Sequence, residues 1–84
     1  GYKLITFEKL CGEEEGPKVI SVSEEFVAVA IKELILVFEF TVDGIVTIPL
    51  KGHKGKVTSL EWIEGILYST DDKMTVIGWT VEKG

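Results

Sequence analysis

His53 is the only histidine of the chain and Cys11 its only cysteine. A histidine working as a general base needs a nucleophile within hydrogen-bond reach and a third group to orient it. A Cys11–His53 pair is conceivable, because the two residues sit in comparable places before two similar runs. Against it stands the acidic run Glu13-Glu14-Glu15 beside Cys11, since a reactive thiolate needs an electropositive setting. Zinc needs several nitrogen or sulfur ligands, and one His with one Cys does not supply them. Asp71-Asp72, with Glu33 or Glu82, offers carboxylates, but adjacent Asp residues in a tight turn are ordinary turn chemistry. Nothing in the spacing sets a second carboxylate opposite them, as glycoside hydrolysis requires. The glycines are scattered, and no Gly-Lys-Ser or Gly-Lys-Thr follows a run of them, so no phosphate loop is written here. These residues predict no catalytic site, no metal and no cofactor.

The composition narrows the elements that could position them. Eighty-four residues allow one small unit, which buries only roughly 60 % of its unfolded surface. Yet 45 % of the residues are hydrophobic. Apolar content that high in so short a chain predicts surface meant for a neighbour. Val and Ile supply nineteen residues and Thr seven, types that suit pleated, half-buried surfaces. Arg, Asn and Gln are missing, and all nine basic residues are Lys. The net charge of −5 without Arg makes a poor nucleic-acid binder, because phosphate neutralisation and bidentate guanine reading are both lost. The apolar runs fall well short of the ~20 residues of a membrane span, and no leader pattern is present. A single Cys cannot form an internal disulfide, which fits a reducing compartment, the cytoplasm or nucleus. The chain begins at Gly1 and its only Met is Met74, the expectation for a processed or cut piece.

Two runs repeat. Lys18-Val19-Ile20-Ser21-Val22 matches Lys56-Val57-Thr58-Ser59-Leu60, and Phe40-Thr41-Val42-Asp43-Gly44 matches Trp79-Thr80-Val81-Glu82-Lys83-Gly84. The period is close to 40 residues. Alternation and turn residues predict strands at about 3–9, 18–23, 26–31 and 34–41 in the first repeat. In the second they fall at about 45–50, 57–62, 66–70 and 75–81. Glu64-Gly65 reads as a tight hairpin turn, and Asp43-Gly44 as the crossing between repeats. Ala28–Leu34 could be helical, but β-branching and alternation from Phe26 to Phe40 favour two strands turning at Lys32-Glu33. Pro49 fits an outermost strand, where a missing N–H does least harm. If Leu60 faces a neighbouring sheet, Trp62 shares that face.

A Gly-His pair (Gly52-His53), two short β runs, a Ser and then Trp79, at this period, resemble the WD40-repeat propeller family, four strands to a repeat. The resemblance is clear over 45–84 and degenerate over 1–44. It implies an all-β fold of two four-stranded antiparallel propeller blades, residues 1–44 and 45–84, within a larger ring or assembling into one. It also implies a hydrogen-bonded structural relay, which falls here on His53, Ser59, Ser69 and Trp79. Lys73 holds the position where the family has the relay Asp, with Asp71 and Asp72 slightly early, and Thr80 replaces the Asp of the Trp-Asp signature. The relay is therefore expected to be rewired or incomplete. Phe40 stands for the Trp of the first repeat, and the Glu-rich loop for its Gly-His.

A blade has two apolar faces, each covered by the next blade. Two blades leave two faces bare, and such patches rarely persist on monomers. Other blades or other copies are thus expected to cover them. The function implied by the resemblance is a non-enzymatic scaffold holding other proteins or peptides. The expected contact loops carry Glu13, Glu14, Glu15, Lys54 and Lys56; the bland alternative is a solvated loop. A second reading is a fragment or engineered half-propeller whose main activity is assembling with copies of itself into a closed ring. A third is an enzyme fragment using Cys11 or His53.

Overall fold

The computed structural model describes residues 1, 4–12, 16 and 18–82. Among them lie one short helix, α1 (Phe7–Cys11), and seven strands: β1 (Lys18–Val22), β2 (Phe26–Ile31), β3 (Leu34–Thr41), β4 (Gly44–Leu50), β5 (Val57–Ile63), β6 (Ile66–Asp71) and β7 (Val76–Thr80). The strands form two antiparallel sheets, ordered β1-β2-β3-β4 and β5-β6-β7. No helix among the described residues is long and apolar enough to cross a membrane.

The all-β expectation is met, but the strands are grouped differently. Residues 45–50 pair with β3 in the register Ile35↔Leu50 to Thr41↔Gly44, not with the second sheet. The reason is local. Val42-Asp43 is a two-residue turn, and the Thr41 hydroxyl donates to the Gly44 carbonyl at 2.9 Å. A connection that short makes consecutive strands antiparallel neighbours. The crossing between sheets is instead the longer stretch Lys51–Lys56. The sequence repeats are therefore offset from the sheets, and the boundary at 44/45 falls within the β3–β4 hairpin. The sheets have four and three strands, not four and four.

The strand expected at 3–9 is also absent from its described part. Thr6 caps α1, its Oγ1 accepting from the Lys9 N–H at 3.3 Å. Gly12, at φ 78°, ends the helix with its N–H on the Glu8 carbonyl. Cap, helix-forming Glu8-Lys9-Leu10 and terminal Gly outweigh the short apolar alternation. The turn at Lys32-Glu33 forms as expected, with Lys32 at φ 57°. At Glu64-Gly65 both residues have positive φ, 49° and 82°, the geometry that matches strand twist in a two-residue hairpin.

Period-two alternation sets the core. Phe26, Ala28 and Ala30 of β2 and Ile35 and Val37 of β3 share the inner face of the first sheet. They pack against Val57, Leu60, Trp62, Leu67 and Trp79 of the second. The small Ala28 and Ala30 let the sheets approach. The sheets are also pinned by polar contacts: the Val57 N–H donates to the Lys32 carbonyl at 2.8 Å, and the Trp62 Nε1–H to the Ser21 carbonyl at 3.2 Å. Leu60 and Trp62 do share the core face, and Trp62 stacks on Phe26 with ring centroids 5.5 Å apart. On the opposite face of the first sheet, Ile5, Phe7 and Leu10 border a groove with Val27, Val29 and Phe40.

Candidate functional site

The most structured polar site lies between the sheets and is built by β6, β7 and the crossing stretch. Alternation along β6 puts Leu67, Ser69 and Asp71 on its buried face. Trp79 of β7 stands opposite Leu67 and Ile77 opposite Ser69, so the indole reaches along the strand to Ser69. The crossing stretch then folds His53 over the end of β6. It is held by the Lys56 N–H on Asp72 Oδ1 and the Asp72 N–H on the Lys56 carbonyl, both 3.0 Å. Two glycines permit the close approach. A Cβ on Gly52 would sit 3.0 Å from the Trp79 ring, and one on Gly55 would collide with Asp72 Oδ1 and Lys73 Cγ.

Four side chains form one continuous chain. His53 Nδ1 lies 2.8 Å from Asp71 Oδ2, and His53 Nε2 lies 2.5 Å from Ser69 Oγ. Trp79 Nε1–H donates to the same Ser69 Oγ at 2.7 Å. Direction follows from the donor inventory. Ionised Asp71 only accepts, so Nδ1 carries the proton. Nε2 is hydrogen-bonded to the Ser69 hydroxyl, whose oxygen accepts from the indole and also lies 3.5 Å from the Ile77 carbonyl. Every member is satisfied. Burial pushes the Asp71 carboxyl up. Donation from the Thr75 N–H, His53 and the Lys73 N–H, with the attraction of the imidazole, outweighs it and holds the carboxyl at about 2. Its Oδ1 accepts the Lys73 and Thr75 N–H groups at 2.9 and 3.0 Å, so one carboxylate orients the imidazole and closes the β6–β7 turn.

Three of the four residues expected in a relay, His53, Ser69 and Trp79, meet here. Ser59 does not. The register of β5 shifts between Val57 and Ser59. Ser59 is thereby turned to the exposed face, where its hydroxyl pairs with Thr70 Oγ1. Asp71, rather than a residue at the Lys73 position, is the acid. The signal was in the sequence: Ser69 and Asp71 are two apart, hence on one face of a strand. Phe40 is no counterpart of Trp79. The inner-face position of the first sheet is Val37, opposite Ala28, while Phe40 is 42 % exposed. Glu13, Glu14 and Glu15 lie outside the described residues. Lys54 and Lys56 are exposed at the His53 end.

Ser, His and Asp in this order are the parts of a nucleophilic triad, so access decides what they can do. Ser69 is fully buried, and the side chains of His53 and Asp71 have no exposed surface. The indole N–H occupies the hydroxyl oxygen that would attack a substrate. Both imidazole nitrogens are taken, leaving neither for Cys11. The arrangement ties strand to strand and loop to sheet. Among the described residues no group of three or more His, Cys, Asp or Glu could hold a metal ion. Comparison of the chain with protein-family models, with curated proteins and with solved structures gave no match.

Proposed function

We propose that the chain is a non-enzymatic protein–protein interaction module, a WD40-like pair of propeller blades that serves as a rigid scaffold. The observation carrying this reading is the closed Trp79–Ser69–His53–Asp71 chain. It commits a Ser-His-Asp set to rigidity, and a satisfied buried network fixes one arrangement of loop and strands. The surface supports the same reading. Ile20, Val22, Phe40, Val42, Ile45 and Val46 of the first sheet are exposed, as are Ile63, Tyr68 and Val76 of the second. Apolar area of that extent marks contact surface. Lys54 and Lys56, exposed at the His53 end, and the Glu13–Glu15 run of the sequence are the charges through which a partner would dock, inside the cell, with no nucleic acid, membrane or cofactor involved. The test is a peptide array probed with the protein. Charge reversal at Lys54 and Lys56, or at Glu13–Glu15, is expected to remove a subset of the bound peptides; an unchanged pattern would sink these loops as the docking rim.

A second reading, self-assembly into a larger ring, is favoured by one observation. Among the described residues the second sheet is a strand short of the first, and β7 pairs only with β6. An open edge of this kind is a template for another strand, whether from another copy or from further blades.

A further inference from the structure

The turns at the end of the molecule opposite His53 carry one sign of charge. Glu24 and Glu25 lie in the β1–β2 turn, Asp43 in the β3–β4 turn and Glu64 in the β5–β6 turn, with Glu82 just past β7. No described lysine lies in these turns. Lys18, Lys32, Lys51, Lys54, Lys56 and Lys73 all sit at strand ends or loops of the His53 side, while Lys9 of α1 borders a hollow with Thr41 and Gly44 of the β3–β4 hairpin. Between the acidic turns the two sheets part to leave a cleft of about 540 Å³, bordered by Val22, Glu24, Phe26, Trp62, Glu64 and Val81 among others. Its wall is the Phe26–Trp62 stack, the two rings within 14° of parallel. The indole is fixed by its bond to the Ser21 carbonyl. On the other side of the β1–β2 turn a second hollow is bordered by Glu39, a carboxylate only 7 % exposed.

We propose that this cleft is the docking site for a basic segment of a partner protein, with a Lys or Arg head entering between Glu24 and Glu64 beside the Trp62 indole. Three separate features select that occupant. The carboxylates give charge complementarity, which steers and orients a cationic partner. An aromatic wall adds the attraction of a ring quadrupole for a cation. The indole, with Val22 and Val81, offers apolar surface to the aliphatic stem of a long basic side chain. An acidic peptide meets like charge at every turn of this end, and a purely apolar one leaves the carboxylates without use. The inference rests on the reading of the chain as a protein-binding module, but it places the site at the end remote from Lys54 and Lys56.

The test uses the intact 84-residue chain and two probe peptides, a hexalysine and the same peptide acetylated on every side chain. Amide shifts in the NMR spectrum are expected at Ser23–Phe26 and Trp62–Gly65 with hexalysine and not with its acetylated form. The affinity should fall as salt is raised through the range where the screening length drops below about 10 Å. The double variant Glu24→Gln, Glu64→Gln is expected to weaken binding about three- to tenfold, the scale of two exposed charges. Lys51→Gln, at the remote end, should leave it unchanged. Shifts that map elsewhere, equal binding of the acetylated peptide, or an undiminished affinity of the double variant would overturn the proposal. So would a salt-sensitive rise in particle mass without peptide, abolished by Lys54→Gln, since the occupant would then be a second copy. Peptides captured on the array through Lys54 and Lys56 while the cleft stays silent would overturn the cleft alone and leave the scaffold reading standing.

Discussion

At the scale of single residues, the question is how the site ties up a Ser-His-Asp set. Ser69 serves two partners at once, so its removal orphans both. Ser69→Ala leaves the buried Trp79 N–H and His53 Nε2 unpaired and is expected to cost about 1–3 kcal/mol in denaturant unfolding. Ser59→Ala, on the exposed face, should cost well under that. Equal losses for the two serines would contradict the assignment of Ser69 to the chain. Asp71 makes the pH dependence specific. Its folded-state pKa of about 2 lies below the ~3.9 of an unfolded Asp. The unfolded state therefore binds the proton first as pH falls. Stability from this group is fully present above about 4 and is lost as pH falls through the folded value. Asp71→Asn should flatten that part of an acid-unfolding curve; an unchanged acid limb would exclude Asp71 as its source.

At the scale of elements, turns decide more than strands do. Gly55→Ala pushes a methyl into the Asp72 and Lys73 side chains and displaces the Asp72 carboxylate that holds the Lys56 N–H. A loss of about 1–3 kcal/mol is expected, as for other overpacked sites, with Gly65→Ala, where the space is open, costing mainly its positive-φ strain. A Gly55→Ala variant as stable as the parent would show that the stretch is free to move. The same weight of turns explains what the sequence disclosed. The alternation from Phe26 to Phe40, the Glu64-Gly65 hairpin and the shared face of Leu60 and Trp62 are local patterns and were legible. The pairing partner of residues 45–50 was not, because the family period counts repeats and is silent on which sheet a strand joins. The two-residue Val42-Asp43 turn held that information. Ser59 misled because a register shift after Val57 turns it outward, and no composition signal announces a bulge. Asp71 could have been found from its two-residue spacing to Ser69.

At the scale of the whole molecule, two facts pull in one direction. The interior between the sheets is closed by Ala28, Ile35, Val37 and Leu67, all fully buried. The outer surfaces still show Val22 at 66 %, Val42 at 102 % and Val76 at 66 % exposure. A chain of this size has little core from which to stabilise itself, and no described strand covers the outer edge of β7, a template for further pairing. Contact with other copies or a partner protein would cover both. Light scattering on the purified chain across a range of concentrations tests this most directly. Particles heavier than 9.3 kDa are expected, growing toward a defined multiple as concentration rises. A folded, monodisperse species at 9.3 kDa over the whole range would contradict it.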